Sequence, residues 1–285
     1  MSVFRILQWP LRSRARADSP SPEPRPADAP VTALNPEDYE RLEPCMRLSD
    51  GTREVLYCTP SPATKWRVET LFAKEPDTME WLEGFQRGDV LVDIGANVGM
   101  YSIWAAAVHG ARVYAFEPES QNFAVLNRNI MLNRLGGQVT AFCLALSDRS
   151  DYSLLHLSQF GVGGSGHTYG ADLDHHLQPR ASHYLQGCVS ASLDHLVAQG
   201  AIAAPTHIKI DVDGLEHKVL AGCSATLRDP QLKSVLIEIN SNLDEHRRLV
   251  GELTALGFSY SDEQVMAARR TEGASTGVGN YVFRR

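Results

Sequence analysis

Asp93 and Glu117 are the residues whose type and placement point most directly to chemistry. Asp93 sits in an apolar run, V-L-V-D-I from Val90 to Ile94, and the turn G-A-N-V-G follows from Gly95 to Gly99. A strand, a glycine turn and an amphipathic helix in that order build the cofactor edge of a doubly wound sheet. The sign of the charge narrows the ligand. A carboxylate at Asp93 repels a pyrophosphate laid against the turn and attracts a cation. S-adenosylmethionine carries a sulfonium and an ammonium, so it suits this turn. The dinucleotide pattern G-x-G-x-x-G asks for three glycines, and here Gly95 and Gly99 stand at a different spacing. The turn therefore reads as a methyl-donor site ahead of a nicotinamide site.

Glu117 ends the second expected strand, about eighteen residues beyond the turn, where an acid accepts hydrogen bonds from ribose hydroxyls. Ser147-Asp148 ends the third. It is either an acid beside an adenine amino group or ordinary turn chemistry. The fourth strand reads H-I-K-I-D-V-D-G-L-E from His207 to Glu216, with His207, Lys209 and Asp211 on one face. A central parallel strand is buried on both faces, so Lys209 and Asp211 need partners. Glu238, in the run V-L-I-E-I, is the expected partner of Lys209. Asp211 is read as a site residue, the first choice to position or deprotonate an acceptor hydroxyl. Asp211, Asp213, Glu238 and Asn240 together offer oxygen ligands for magnesium. Plain ion pairs and caps explain them better, and no metal is assigned. His167, His175, His176 and His183 fall in one long polar loop without zinc spacing. One of them, or His217 just after strand four, is a candidate general base.

The elements that must position these residues follow from periodicity. Strands are expected at 90–94, 112–117, 139–146, 207–212 and 234–239, with the last ones at 258–260 and 281–284. Helices are expected at 98–109, from 123 to 133, at 215–227 and at 243–256, with a further one starting at Pro76. Strands alternating with helices imply a mostly parallel sheet covered on both faces, with an antiparallel edge. The loop from Gly161 to Gly187 is too long to be idle in a compact domain.

Composition sets the limits. The chain has 285 residues and a formal charge of −7, so broad attraction to nucleic-acid phosphate is not expected. No apolar run is long enough to span a bilayer. Cys45, Cys58, Cys143, Cys188 and Cys223 form no C-x-x-C pair and read as reduced thiols, which fits the cytoplasm. Residues 1–34 form an expected tail. Arginines and apolar residues mix over 1–16, a weak contact for an anionic membrane surface or a protein, and a proline-rich linker follows. Residues 35–87 read as a cap segment, and 88–285 as the main domain.

Five motifs in order resemble the FkbM family of methyltransferases: D-I-G-A-N-V-G-M-Y-S from Asp93, F-E-P-E from Phe116, A-L-S-D from Ala145, S-L-D-H-L from Ser192 and I-K-I-D-V-D-G-L-E from Ile208. K-E-P-D-T from Lys74 to Thr78 is similar to the segment that precedes the first strand in one branch of that family. The resemblance implies a Rossmann-like class I methyltransferase fold, a seven-stranded doubly wound sheet with an antiparallel edge strand, and S-adenosylmethionine as donor. It implies Asp93, Gly95, Ala96, Asn97 and Gly99 around the methionine part. It puts Glu117 and Pro118 at the ribose, and Ser147 and Asp148 at the adenine. It adds Glu75 and Thr78 to the cofactor set and places Asp211 and Glu216 in the second half of the site. Asp213 stands where the family pattern has Glu. The implied activity is methylation of a hydroxyl on a sugar, glycan or secondary metabolite, with a small-molecule or glycan acceptor. An NAD(P)-dependent oxidoreductase and a non-catalytic donor-binding module are the alternatives. The sequence leaves the acceptor and the oligomeric state open.

Overall fold

The computed structural model describes residues 45–49, 51, 53–273 and 275–285. The tail expected at 1–34, with its basic head at 1–16, lies outside the described residues.

Two strands, β1 (Cys45–Ser49) and β2 (Glu54–Cys58), pair antiparallel as a hairpin. Three short helices follow: α1 (Pro62–Glu69), α2 (Leu71–Lys74) and α3 (Pro76–Glu83). Ser61 caps α1 by accepting from the Thr64 amide while the Thr64 hydroxyl takes the Ser61 amide, a reciprocal capping box. Next come β3 (Val90–Ile94), α4 (Met100–His109), β4 (Arg112–Phe116), α5 (Ser120–Leu132) and β5 (Val139–Phe142). A smaller sheet is made from β6 (Ala145–Leu146), β7 (Asp151–Leu157), β8 (Thr168–Tyr169) and β9 (Tyr184–Ala191). The chain then runs through α6 (Leu193–Ala198), β10 (His207–Ile210), α7 (Glu216–Ala221), β11 (Ser234–Asn240), α8 (Asp244–Ala255), α9 (Asp262–Ala268) and β12 (Val278–Arg284).

The main sheet has the order β12-β11-β10-β3-β4-β5. All pairs are parallel except β11 with β12. This is the doubly wound, Rossmann-like arrangement with an antiparallel edge. The seventh strand expected at 258–260 is reduced to a single bridge, Ser259 with Arg284, so the hydrogen-bonded sheet has six strands. The run expected as one strand over 139–146 breaks at Cys143-Leu144. Its first half stays in the main sheet, and its second half pairs with β9 in the small one.

Alternate residues of each central strand feed two cores. Leu91, Val113 and Leu236 face α3, α4, α5 and the β1–β2 hairpin, whose Val55 and Tyr57 are fully buried there. Val92, Ile94, Ile208, Ile210 and Ile237 face α7 and α8. Burial on both faces explains why these strands read as near-continuous apolar runs. Tyr57 donates its hydroxyl to the Met100 carbonyl, and Asn129 Oδ1 accepts from the Cys58 amide. The segment before residue 88 thus shares the core of the sheet.

The site follows from the topology. From β3 the chain winds outward through β4 and β5, then returns to β10 on the other side of β3. The crevice at the carboxyl ends of β3 and β10 is the switch point where open sheets of this kind bind ligands.

Candidate active site

A cavity of about 330 Å³ opens at that switch point. Asp93, Gly95, Ala96, Asn97, Glu117, Pro118, Ser147, Asp211 and Glu75 all line it, so one site gathers residues from across most of the chain.

The turn after β3 is built by glycine geometry. Gly95 has φ +81°, and a Cβ there would lie 1.8 Å from the Asp211 carbonyl oxygen. No side chain fits where the two lips of the crevice approach so closely. The Gly95 and Ala96 amides both donate to the Phe116 carbonyl. Asn97 takes φ +52°, its amide donates to Glu117 Oε2 at 2.8 Å, and its Oδ1 accepts from the Val98 amide. Gly99 has φ +82° and opens α4; a Cβ there would meet Leu126 at 2.3 Å.

Asp93 is 1% exposed. Its Oδ2 accepts from the Ser102 hydroxyl at 2.6 Å, while Oδ1 makes no hydrogen bond among the described residues. Burial raises its proton affinity, opposed by Lys209 and Ser102. Glu117 accepts one backbone amide on each oxygen, Asn97 on Oε2 and Glu119 on Oε1. A carboxylate offers about four acceptor positions, so capacity remains for a ligand. Burial pushes its pKa up to about 7.

Lys209 departs from expectation. It is 2% exposed, and its Nζ lies 3.0 Å from Asp211 Oδ2, not against Glu238. Glu238 Oε1 instead accepts from Arg270 at 3.0 Å. Neighbouring strands bring Lys209 and Leu236 into register, whereas Glu238 lies beyond the paired stretch. Burial opposes the Lys209 charge, but Asp211, Asp93 and Glu75 outweigh it and strengthen its hold on the proton. Burial likewise opposes the Asp211 anion, and Lys209 with Lys74 brings that carboxyl down to about 2. Glu238 moves the other way: burial and the Asp211 charge raise it well above the carboxylate range. Asp213, with φ +56°, accepts from the Gly166 amide at 2.7 Å and is raised by burial to about 6.

Other expected residues lie at or beyond the margin. Thr78 is fully buried and does not line the cavity; it donates to Glu75 Oε2 at 3.2 Å and so braces Glu75. Asp148 lines a smaller polar pocket beside Ser147, and pairs with Arg149. His217 lies on α7 outside the cavity lining, 6.2 Å between ring centres from His246. Glu216 does not reach the cavity either. It accepts from the Val212 and Gly214 amides, with His246 at 3.2 Å, and holds the loop after β10 in shape. The four residues considered for magnesium each have an oxygen engaged by a different partner: Asp211 by Lys209, Asp213 by the Gly166 amide, Glu238 by Arg270 and Asn240 by the Asn242 amide. No cluster of His, Cys, Asp or Glu that could hold a metal ion occurs among the described residues.

The long loop covers the cavity. Gly164, Ser165, His167 and Tyr169 line it. The loop is pinned by Asn122, which accepts from the Gly163 amide and donates to the Gly164 carbonyl, and by Asn97 Nδ2 on that same carbonyl. Asn122 escaped the sequence reading because an asparagine inside a helix carries no local signal of a distant loop. His167 Nδ1 accepts from the Ser158 amide at 3.2 Å, and burial lowers its pKa. The neutral ring then carries its proton on Nε2 and is a donor, not a base.

The chain matches the methyltransferase FkbM domain over residues 93–260, more than half its length. It belongs to the FkbM methyltransferase family. Its cofactor is therefore S-adenosylmethionine, and a nicotinamide oxidoreductase is left without support. The chain is 29% identical over 218 residues to the 31-O-demethyl-FK506 methyltransferase FkbM of Streptomyces tacrolimicus, covering 65% of this chain and 82% of that one. It is 27% identical over 213 residues to the hexuronic acid methyltransferase AglP of Haloferax volcanii, covering 72% and 80%. Among solved structures, the precorrin-6y C5,15-methyltransferase of Geobacter metallireducens superposes with a TM-score of 0.43 at 14% identity, covering 74% of this chain and 86% of that one. No helix among the described residues is long and apolar enough to cross a membrane.

The residues at the switch point fit the donor. Asp93 is a buried carboxyl that lines the cavity, and its Oδ1 makes no hydrogen bond among the described residues, as an acceptor kept for a ligand would.

Proposed function

We propose that this FkbM-family enzyme methylates a hydroxyl of a sugar, glycan or secondary metabolite. The observation that carries the donor assignment is the buried Asp93 side chain, which lines the cavity and has one oxygen without a hydrogen bond among the described residues. Asp93, Gly95, Ala96, Asn97 and Gly99 cradle the methionine part in this reading. Glu117 and Pro118 take the ribose end, and Ser147, with Asp148 behind it, takes the adenine margin. Glu75, held by Thr78, adds negative charge near the donor's cationic end. Two relatives support a hydroxyl-bearing acceptor by their names, one for 31-O-demethyl-FK506 and one for a hexuronic acid. A reducing compartment such as the cytoplasm fits the free cysteines.

When bound, the donor supplies an electrophilic methyl carbon on a sulfonium. The protein's part is alignment, exclusion of water and a place for the proton. The loop carrying Gly164 and His167 shields the cavity. Asp211, held ionised by Lys209, is a weak base and a strong hydrogen-bond acceptor, so its role is to orient the hydroxyl. Glu238 binds protons more tightly, and its Oε2 is free of the Arg270 contact on Oε1. Glu238 lines the same cavity as Asp211, so in its ionised form it is a second carboxylate that takes the hydroxyl proton. His217, outside the cavity, is not assigned a role.

Calorimetry with S-adenosylhomocysteine tests the donor site. Binding by the wild type and its loss in Asp93→Ala are expected; equal affinity in both defeats the assignment. Incubation with labelled donor and a cell extract split into glycan, lipid and small-molecule pools tests the activity. Donor binding without label in any pool would reduce the chain to a binding module.

A further inference from the structure

The hairpin that packs on the main sheet carries two thiols that the methyl-transfer site does not use. Cys45 in β1 and Cys58 in β2 stand opposite each other in register, and their sulfurs lie 3.8 Å apart. Cys45 is exposed, and Cys58 is buried at 2% exposure.

The register fixes what kind of pair this is. Opposed residues of an antiparallel ladder alternate between pairs that exchange backbone hydrogen bonds and pairs that do not. The Cys58 amide donates to Asn129 Oδ1 at 2.7 Å, and the Leu56 amide donates to Asn133 Oδ1 at 2.9 Å. Both amides therefore point away from β1, toward α5 and its C-cap. Cys45 and Cys58 form a non-hydrogen-bonded pair. Opposed Cα atoms at such a position are about 4.5 Å apart, with the side chains at their closest. A disulfide spans Cα distances of about 4.4–6.8 Å and brings its sulfurs to about 2.0 Å. The backbone spacing already suits the bond, and rotation of the exposed Cys45 side chain closes the remaining gap.

β2 also supports the donor turn. Asn129 accepts from the Cys58 amide and donates from Nδ2 to the Val98 carbonyl at 2.8 Å. Tyr57, beside Cys58, donates to the carbonyl of Met100, the first residue of α4, at 2.8 Å. No residue of β1 is buried. A strand with so little packing opens easily, so a covalent tie between β1 and β2 has most to add there.

We propose that Cys45 and Cys58 are an oxidative modification site, a dithiol that reacts with low-molecular-weight disulfides and closes into an internal bond bracing β2 beneath the donor turn. The exposed Cys45, as its thiolate, attacks one sulfur of the oxidant and expels the other half as a thiolate. The Cys58 thiolate then attacks the Cys45 sulfur and expels the second half. Two protein S–H bonds and the oxidant's S–S bond are lost. One protein S–S bond and two small thiols form, and the two protons end on those thiols. Two electrons pass from the protein to the oxidant. The dithiol is the resting form in a reducing compartment, and the bond records a shift in the small-thiol pool.

The test uses the full chain, first reduced, then exposed to oxidised glutathione, alkylated in denaturant and mapped by peptide mass. Two fewer than the five thiols of the reduced chain should take the alkylating reagent, the Cys45 and Cys58 peptides should be joined, and dithiothreitol should restore both. Cys58→Ala should stop at a glutathione adduct on Cys45. In Cys45→Ser the buried Cys58 should react at least about tenfold more slowly than Cys45 does in the wild type. Cys143→Ser, which removes another exposed thiol, should leave the bond in place. The oxidised wild type should melt about 5 °C or more above the reduced form, and the same treatment should not move Cys45→Ser. No reaction, a lasting adduct on wild-type Cys45 without the internal bond, or a bond joining other cysteines overturns the assignment. An oxidised form that melts at or below the reduced one overturns the brace.

Discussion

Asp93 and Lys209 stand opposite each other in register across the parallel pair β3–β10, and Asp211 follows on the same face as Lys209. One ammonium is thereby set among the carboxylates of Asp93, Asp211 and Glu75, all of which act on it. With Lys74, which pairs with Glu75 at 2.7 Å, two positive charges face three carboxyls. The cavity floor keeps net negative charge in a buried place, and a cationic ligand relieves it.

The first consequence concerns donor affinity. Asp93→Asn keeps the shape of the side chain and removes its charge. Lys209 retains Asp211, so the fold should survive. Affinity for S-adenosylhomocysteine in calorimetry should fall about 10- to 100-fold, the worth of one charge-assisted hydrogen bond. An unchanged affinity would mean the donor's cation lies elsewhere.

Gly95→Ala tests the turn itself. The added Cβ would sit 1.8 Å from the Asp211 carbonyl, on a residue already at φ +81°. Backbone must move, so the variant should lose about 2–4 kcal/mol in urea unfolding and bind the donor product poorly. A variant as stable as the wild type would show that the two lips are not held in contact.

Much of this was legible in the sequence. Val90–Ile94 is read to the residue, because a strand buried on both faces ends in a glycine turn and both signals are local. The order of Asp93, Glu117 and Asp211 along successive strands was legible for the same reason. The partner of Lys209 was not. Glu238 shares its chemistry, but register carries it past Lys209 and toward Arg270, and register is a property of paired strands. The lid was visible only as a long polar loop. Its anchors, Asn97 and Asn122, come from two other elements, and nothing near either residue announces the contact. Thr78 and Glu216 were placed near the ligand and instead brace Glu75 and the loop after β10, a difference of one shell that motif spacing does not resolve.

Lys209→Met removes the only cation that Asp93, Asp211 and Glu75 share in the floor. The variant should lose about 3–5 kcal/mol, the usual result of breaking a buried ion cluster from one side. The loss should be larger near pH 8 than near pH 5, because the stranded carboxylates regain neutrality by taking protons as pH falls. Adding Asp211→Asn should recover part of it. Urea unfolding at both pH values measures this, and a loss independent of pH would point to packing instead of charge.

Glu117 makes the pH argument in its cleanest form. Burial lifts its pKa from the usual 4.5 to about 7 in the folded chain. The folded state therefore holds a proton that the unfolded state has released between those values. The protonated form's contribution to stability is full below about pH 4.5 and is lost as pH rises to about 7. Asp213, raised to about 6, adds a slope of the same sign, so the difference between variants is the informative quantity. Glu117→Gln cannot titrate. Its unfolding free energy should fall less steeply than that of the wild type between pH 4.5 and 7, by an amount of order 3 kcal/mol over the interval. Donor binding reads the same group from the other side. Ribose hydroxyls donate best to the anion, so S-adenosylhomocysteine should bind the wild type more tightly as pH rises toward 8 and release a fraction of a proton on binding at pH 7. Both effects should weaken in Glu117→Gln. Calorimetry in two buffers of different ionisation enthalpy measures the proton count, and an identical count in wild type and variant would remove Glu117 from the donor site.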